Sequence, residues 1–211
     1  MRLAGTRRGW RAAAVLVALA FTLLMPLGAS AADRGSDGAR AARIVGALAS
    51  ANDPYAAYAA LSQRDQVAVK DYLTATIFTE SVALPSAGAA NAAMNIAASG
   101  CWTWTWQRDG RNAFGVLLWS YFQRIDWCGN GSVITNTPQR TRWGEVYAVF
   151  WSWRHIGNQT WGGVNQPSYR AWTQGEFKLC LTPDSGCVQY SYPWLDMTAW
   201  ADGRGTGSVG G

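Results

Sequence analysis

Residues 101–110 read CWTWTWQRDG, with a tryptophan at every second position directly after a cysteine. Successive side chains of a β-strand point to opposite faces, so Trp102, Trp104 and Trp106 share one face of a predicted strand. The opposite face carries Cys101, which is available for a disulfide, followed by polar residues. This distribution favours an inward-facing tryptophan ladder on an edge-like strand over a platform for a ligand.

The same alternation continues from this stretch to residue 200. Aromatic and β-branched residues form short runs, separated by turns rich in Gly, Asn, Asp and Pro, which is the pattern of antiparallel strands. Several short strands at this spacing predict an antiparallel sandwich or barrel over residues 101–200. The predicted strands cover 101–107, 113–124, 131–137, 142–154, 168–173, 176–182 and 187–193.

The alanine-rich region before this β domain predicts helices. Asp53-Pro54 and Ser62-Gln-Arg-Asp65 are typical helix starts, because Asp and Ser accept hydrogen bonds from free N–H groups of the first turn. We expect an α+β chain with the N-terminal helical segment as a structural cover or a removable pro-segment. That segment covers 32–82, with helices near 38–50, 54–61 and 63–79; a linker follows over 83–100, and a disordered tail over 201–211.

The N-terminal residues resemble an export signal. Basic residues precede the apolar run AAAVLVALAFTLLMPLGA and the small residues ASA at 29–31, which predicts a signal peptide over residues 1–31. Pro26 and Gly28 interrupt the run and favour cleavage over a membrane anchor. Loss of the four leader arginines leaves 14 basic and 13 acidic residues, without the excess of a nucleic-acid-binding protein. We expect a secreted, extracellular monomer with neither nucleic-acid nor membrane partners.

The even number of cysteines predicts two disulfides in an oxidising compartment. Three pairings of Cys101, Cys128, Cys180 and Cys187 are possible, and sequence proximity favours Cys101–Cys128 and Cys180–Cys187. A zinc site is the alternative, but the spacings are not CxxC and the chain has a single histidine. We therefore expect no metal and no cofactor.

Four sequence blocks carry a resemblance to other proteins. They are CWTWTW, WCGNGSVIT, QGEFKLCL and CVQYSYPWLDMTAWADG, between residues 101 and 203. With their cysteines and tryptophans in register, the blocks resemble a group of uncharacterised secreted proteins from actinomycetes. The resemblance implies an exported, disulfide-bonded β domain and brings no activity or site residues with it.

Candidates for catalysis are few. No GxSxG elbow accompanies His155, so we interpret this histidine as a turn residue at the end of a strand. Glycoside hydrolysis needs two carboxylates that flank a sugar, and three acidic residues lie where such a pair is possible. They are Asp126, Glu145 and Glu176. Solvent-facing ion pairs are the simpler interpretation of these carboxylates.

The aromatic content is the unusual property of the β domain. Residues 101–200 hold 21 Trp, Tyr and Phe against 15 Val, Ile, Leu and Met, so some rings are expected at the surface. A continuous strand over 142–154 places large amphipathic rings and a carboxylate on one face, opposite an apolar stripe. The predicted binding residues are Glu145, Tyr147, Trp151 and Trp153, with Trp161 from the loop that follows.

Exposed rings beside a carboxylate predict stacking on sugar rings or on another flat ligand. The first hypothesis is a secreted, non-catalytic binding protein for cell-wall or environmental polysaccharide. One alternative is a glycan-acting hydrolase that uses paired carboxylates. Another is a secreted protein-binding inhibitor or antagonist, in which the same aromatic residues are hot spots.

Overall fold

The computed structural model describes residues 29–87, 99–183 and 186–211, so nearly all of the predicted leader lies outside it. Three helices open this part of the chain. They are α1 Ala29–Ala49, α2 Pro54–Ala59 and α3 Gln63–Leu73. Within the described ranges, none of the helices is long and apolar enough to span a membrane.

Both predicted helix starts are confirmed. The Asp53 side chain accepts a hydrogen bond from the Ala56 N–H, and Pro54 occupies the first helical position. Ser62 accepts a hydrogen bond from the Asp65 N–H, and its hydroxyl donates to the Asp65 carboxylate at 2.8 Å. Each cap satisfies a backbone donor that a helix leaves free at its N-terminus.

The described strands form two antiparallel sheets, which we call the first and the second sheet. The first has the order β1-β2-β3-β4, and the second has the order β5-β6-β8-β9 with β7 beside β6. The first sheet contains β1 Ile77–Ala87, β2 Gly100–Arg111, β3 Leu117–Gly129 and β4 Gln139–Val146. The second contains β5 Trp151–Gly162, β6 Ser168–Leu179, β7 Gln189–Ser191, β8 Trp194–Trp200 and β9 Gly205–Gly210. The predicted class, helices followed by an antiparallel β-sandwich or barrel, is confirmed, and the two separate sheets make it a sandwich.

The tryptophan ladder of β2 faces the second sheet, as its alternation predicts. Trp104 and Trp106 are only 3% and 7% exposed. Their rings lie against β9, where a Cβ on Gly207 would stand 2.0 Å from the Trp106 ring and one on Gly205 would stand 2.8 Å from Trp104. The C-terminal tail, predicted to be disordered, is therefore an edge strand whose glycines let large rings approach its backbone.

Aromatic residues fill the space between the sheets. Trp119 is fully buried and its ring stacks on Phe177 with centroids 4.4 Å apart. Trp127 is also buried, and its indole N–H donates to the carbonyl of Trp200 at 2.8 Å. Each such ring stabilises the fold by roughly 2–3 kcal/mol through burial of apolar surface.

Both predicted disulfides are confirmed. Cys101 and Cys128 are direct register partners on β2 and β3, and their bond clips the end of this strand pair. Cys180 and Cys187 close the short loop between β6 and β7. In the chain-entropy model, loops of this length imply that the first disulfide stabilises the folded state by about 3.5 kcal/mol and the second by about 2.5 kcal/mol.

The helices cover one end of the sandwich. Tyr55 and Tyr58 of α2 contact the ring of Phe150 at 5.1 and 5.7 Å. The backbone of Ala75, just after α3, exchanges two hydrogen bonds of 2.8 Å with the amide of Gln189. The helical segment thus belongs to the same hydrophobic core as the sheets.

The third helix is shorter than predicted. It ends at Leu73 instead of 79, and β1 occupies residues that the sequence assigns to the helix and to the linker. The segment after Leu73 reads TATIFT, and β-branched residues favour strands over helices. Pairing with β2 supplies the backbone hydrogen bonds that make the extended form stable here.

Other strand predictions are also wrong in detail. Residues 131–137 form a loop with isolated bridges at Ile134, and residues 168–179 form one strand where two are predicted.

The predicted strand 142–154 is interrupted after Val146. The chain turns there to enter the other sheet, with Phe150 at φ 71°, a left-handed conformation that is uncommon for a residue with a large side chain. Contacts with the α2 tyrosines hold Phe150 in this turn.

Candidate functional site

The interruption before Phe150 separates the residues that the sequence groups into one binding face. Trp151 is 6% exposed, and its indole N–H donates to the carbonyl of Leu73 at 2.9 Å. It joins the sandwich to the end of α3 and is unavailable for stacking on a ligand. The prediction of Trp151 as a binding residue is therefore wrong, because the turn places it in the core.

Tyr147 and Glu145 lie on the outer face of the first sheet, the face turned away from the second sheet. Glu145 accepts hydrogen bonds from the Trp143 indole N–H at 3.1 Å and from the Tyr147 hydroxyl. Partial burial and then the hydrogen bond to Glu145 raise the pKa of Tyr147 above its ordinary value. These side chains form a closed network with one another.

Trp153 and Trp161 occupy opposite sides of β5. Trp153 points towards the first sheet at the edge of the sandwich and stacks on Phe177 with centroids 6.2 Å apart. Trp161 points outward from the second sheet and is 45% exposed. The five predicted binding residues are thus divided among the core, the sandwich edge and the two outer faces.

The three candidate catalytic carboxylates are also kept apart. Asp126 and Glu145 share the outer face of the first sheet, but the register places them six residues apart along the strands, about 20 Å. Glu176 lies on the outer face of the second sheet and pairs with Arg154 at 2.7 Å. A glycosidase pair needs carboxyl groups roughly 5–9.5 Å apart, so these three residues do not form one.

Asp126 is held by neighbours on its own sheet. Burial opposes its ionisation, but hydrogen bonds from Arg124 and Thr103 outweigh this effect and keep the pKa of Asp126 below its ordinary value. The Thr103 hydroxyl lies 2.5 Å from the carboxylate, and the Arg124 guanidinium approaches to 2.7 Å. The carboxylate is a structural acceptor on this face.

A groove of about 590 Å³ lies on the outer face of the second sheet. It crosses four strands, from β5 over β6 and β8 to β9. We call it the Trp groove. Its lining residues are Gln159, Trp161, Arg170, Trp172, Trp194, Asp196 and Ser208.

Two tryptophans of the Trp groove lie over glycines of neighbouring strands. A Cβ on Gly157 would stand 2.9 Å from the ring of Trp172, and a Cβ on Gly210 would stand 2.7 Å from the ring of Trp194. Both glycines are directed to the outer face, so each ring covers the backbone of the next strand. Both rings remain partly exposed. The sheet therefore presents two supported aromatic surfaces to solvent.

An ion pair stands at the centre of the Trp groove. The Arg170 guanidinium donates to Asp196 through Nε at 2.9 Å and through Nη2 at 2.5 Å. The guanidinium also lies 4.8 Å from the Trp161 ring centroid, within range of a cation–π contact. The hydrogen bond to Asp196 raises the pKa of Arg170. A second hollow of about 340 Å³ shares this ion pair and extends the groove towards Thr198 and Thr206.

No sequence prediction pointed to four of the residues that line the Trp groove, namely Arg170, Trp172, Trp194 and Asp196. A signal for them exists, because Arg170 and Trp172 alternate with the small or buried residues of β6. Trp194 and Asp196 alternate in the same way with Leu195 and Met197 of β8. When 168–179 is read as one strand, its alternate residues divide between two faces, and one of these faces is polar and aromatic.

Comparison with known proteins gives no precedent for this arrangement: no protein-family model matches the chain, and neither a curated protein nor a solved structure matches it. Among the residues that the structure describes, no group of three or more His, Cys, Asp or Glu is placed to hold a metal ion. The resemblance to secreted actinomycete proteins stays a prediction. The evidence on function comes from the surfaces of the sandwich.

Proposed function

We propose that this protein is a secreted, non-catalytic binding protein for cell-wall or environmental polysaccharide, and that the Trp groove is its glycan-binding surface. The observation that carries the proposal is the pair of flat, supported rings, Trp172 and Trp194, beside the Arg170–Asp196 ion pair. The two disulfides fit an oxidising, extracellular compartment.

The chemistry of the groove suits a sugar. A pyranose ring has apolar C–H faces that pack on aromatic rings and an equatorial rim of hydroxyl groups that need hydrogen-bond partners. Trp172 and Trp194 offer the aromatic surfaces, and the exposed atoms of Arg170 and Asp196 offer donors and acceptors at the rim. Flat rings on a sheet are already in place before binding, which lowers the entropic cost of association.

The charges of this face favour an uncharged polysaccharide. Arg154 pairs with Glu176, Arg170 with Asp196, and Arg204 with Asp202, at distances of 2.5–2.7 Å. Because each of these arginines has an opposite charge beside it, the arginines of this face leave little net charge to attract a strongly charged ligand at long range. Open grooves crossing several strands fit an extended chain better than a single small molecule.

Pull-down on insoluble polysaccharides, followed by titration of soluble oligosaccharides against tryptophan fluorescence, tests the proposal. We expect Trp172→Ala and Trp194→Ala each to weaken glycan binding about tenfold or more, which corresponds to roughly 1.4 kcal/mol per site. Trp143→Ala is the matched control, because Trp143 lies on the outer face of the first sheet. Thermal unfolding of each variant verifies that its fold is intact.

Three outcomes count against the proposal. Equal loss of binding in the Trp143 control and the groove variants would place the glycan elsewhere. Release of reducing sugar that Glu145→Gln abolishes would instead establish the hydrolase alternative. Failure of all polysaccharides to bind, with saturable binding of a protein partner that Trp172→Ala removes, would make the groove a protein-binding surface.

A further inference from the structure

Two arginines lie where the edge strands of the two sheets meet. Arg140 and Arg142 alternate on β4 and point to its inner side, opposite Ile125 and Gln123 of β3. The neighbouring edge strand, β5, belongs to the second sheet. Arg140 reaches across to β5, where it donates to the carbonyl of Gln159 at 3.3 Å and to the side chain of Asn158 at 3.0 Å. We call this region the arginine cleft.

The arginine cleft contrasts with the other charged surfaces of the β domain. Most arginines there pair with a carboxylate at 2.5–3.2 Å, namely Arg111, Arg124, Arg154, Arg170 and Arg204. Neither Arg140 nor Arg142 has a carboxylate within 4.0 Å in the part of the chain that the structure describes. Two positive charges therefore lie side by side, partly buried, without an opposite charge.

The other groups that face the cleft are neutral. From β3, the hydroxyl of Tyr121 lies 3.2 Å from His155 Nδ1 and 2.7 Å from the Thr173 hydroxyl. From β5, Asn158 stands 3.5 Å from Nε2 of the same histidine. From β6, Tyr169 is close enough to Arg140 for an electrostatic interaction. His155 thus lies inside β5, facing the first sheet, whereas the sequence predicts a turn residue.

The electrostatics of the cleft show the cost of this arrangement. Burial and then the charge of Arg142 lower the pKa of Arg140, although Tyr169 acts in the opposite direction. Burial, followed by the charges of Arg142 and Arg140, lowers the pKa of His155. Partly buried charges are destabilising unless an opposite charge or hydrogen-bonding group compensates them. The Gln159 carbonyl and the Asn158 side chain compensate part of this cost at Arg140. An anion beside both guanidinium groups would offset the repulsion between them.

We propose that Arg140, Arg142 and His155 form a binding site for an oxyanion, that is, for a carboxylate, sulfate or phosphate group. Guanidinium groups donate hydrogen bonds in a planar fork that matches two oxygens of such a group. The Thr173 hydroxyl donates to the Gly157 carbonyl and accepts from Tyr121, so His155 donates through Nδ1 to the Tyr121 oxygen. Protonation of Nε2 then gives an imidazolium that adds a positive charge and a donor for the anion. The oxyanion is either free in solution or carried by a larger molecule such as an acidic sugar.

This site is independent of the Trp groove. The arginine cleft lies on the inner side of β5, and the groove lies on the outer side of the same strand. The groove has its own paired charges, so loss of glycan binding there leaves the oxyanion site unchanged. The two proposals can therefore fail separately.

The single histidine of the chain is a direct probe of the site. The imidazole C–H signals of His155 can be followed by NMR as a function of pH, in chloride and in sulfate at equal ionic strength. Sulfate keeps its charge over this pH range, and a neighbouring anion favours the protonated imidazole. We expect sulfate to raise the titration midpoint of His155 by roughly half to one pH unit.

Variants separate a specific site from a general salt effect. Arg142→Gln and Arg140→Gln should each abolish the sulfate-dependent change of the midpoint, because each removes one of the two guanidinium groups. Arg124→Gln is the control, since it removes the same charge from an arginine that is paired with Asp126 on the outer face of the first sheet. It should keep the full response.

The same measurement identifies the source of the oxyanion. Titrations with sulfate, inorganic phosphate and a uronic-acid oligosaccharide compare a free ion with a group carried by a sugar, and the tighter binder identifies the source. The proposal is overturned when none of the three shifts the His155 signals, or when Arg124→Gln loses the response to the same extent as Arg142→Gln.

Discussion

Gly207 is the position at which the packing of the C-terminal strand can be tested most directly. It lies in β9, pairs with Met197 of β8, and faces the first sheet. A Cβ at this position would stand 2.0 Å from the Trp106 ring and 2.4 Å from the carbonyl oxygen of Asp196. Ordinary van der Waals contacts are about 3.4–4 Å, so Gly207→Ala cannot be accommodated without movement.

The cost of this substitution follows from what surrounds the new methyl group. Trp106 is 7% exposed and packed against Trp104, and the Asp196 carbonyl belongs to the β8 backbone. Neither can move far, so either β9 shifts outward or the indole leaves its position. Overpacking of this kind costs about 1–3 kcal/mol, which lowers the melting temperature by roughly 2–10 °C for a chain of this size.

Urea unfolding followed by tryptophan fluorescence measures this effect. Gly46→Ala is the matched control, because Gly46 lies in α1 with no atom within 4 Å of the added Cβ. Alanine is favoured over glycine in a helix, so this variant should gain about 0.5–1 kcal/mol. A loss of less than about 0.5 kcal/mol in Gly207→Ala would refute the packing of β9 on the tryptophan ladder.

Two further predictions concern the end and the edge of the sandwich. Trp151→Phe removes the indole donor to the Leu73 carbonyl and should lower the free energy of unfolding by about 1–3 kcal/mol, measured by urea unfolding. Trp153→Phe should have a smaller effect, and equal effects of the two variants would contradict this reasoning. The folded protein holds the pKa of His155 below its ordinary value of 6.5, so between the two pKa values the unfolded chain binds more protons than the folded chain. The free energy of unfolding should therefore fall as pH decreases through 6.5 towards the folded-state pKa. In low-anion buffer this pH dependence should disappear in His155→Gln, and an unchanged slope would show that another group is responsible.

Local signals in the sequence predict the local structure well. The helix starts at Asp53 and Ser62 are confirmed because a cap depends on a side chain and on backbone groups two or three residues away. The inward direction of Trp104 and Trp106 is confirmed because the alternation of a strand is a local property. The disulfide pairing follows from proximity along the chain.

Errors arise where a distant segment determines the local conformation. The strand predicted through Phe150 is interrupted because the rings of Tyr55 and Tyr58 provide a packing site for this residue in the turn. The glycine-rich tail becomes a strand because the Trp104 and Trp106 rings need a neighbouring backbone without side chains. No local pattern contains either partner.

The candidate site also depends partly on local sequence signals and partly on contacts between distant segments. By itself, the sequence determined that this is a helical segment followed by a disulfide-bonded, tryptophan-rich β-sandwich or barrel, because propensities, caps and alternation act over a few residues. Alternation shows which side chains share a face, but it does not show which face meets solvent. Only the tertiary structure decided that Trp151 is core and that Trp172 stays partly exposed above Gly157. The physical reason is that exposure depends on which surfaces the two sheets and the helices bury against one another.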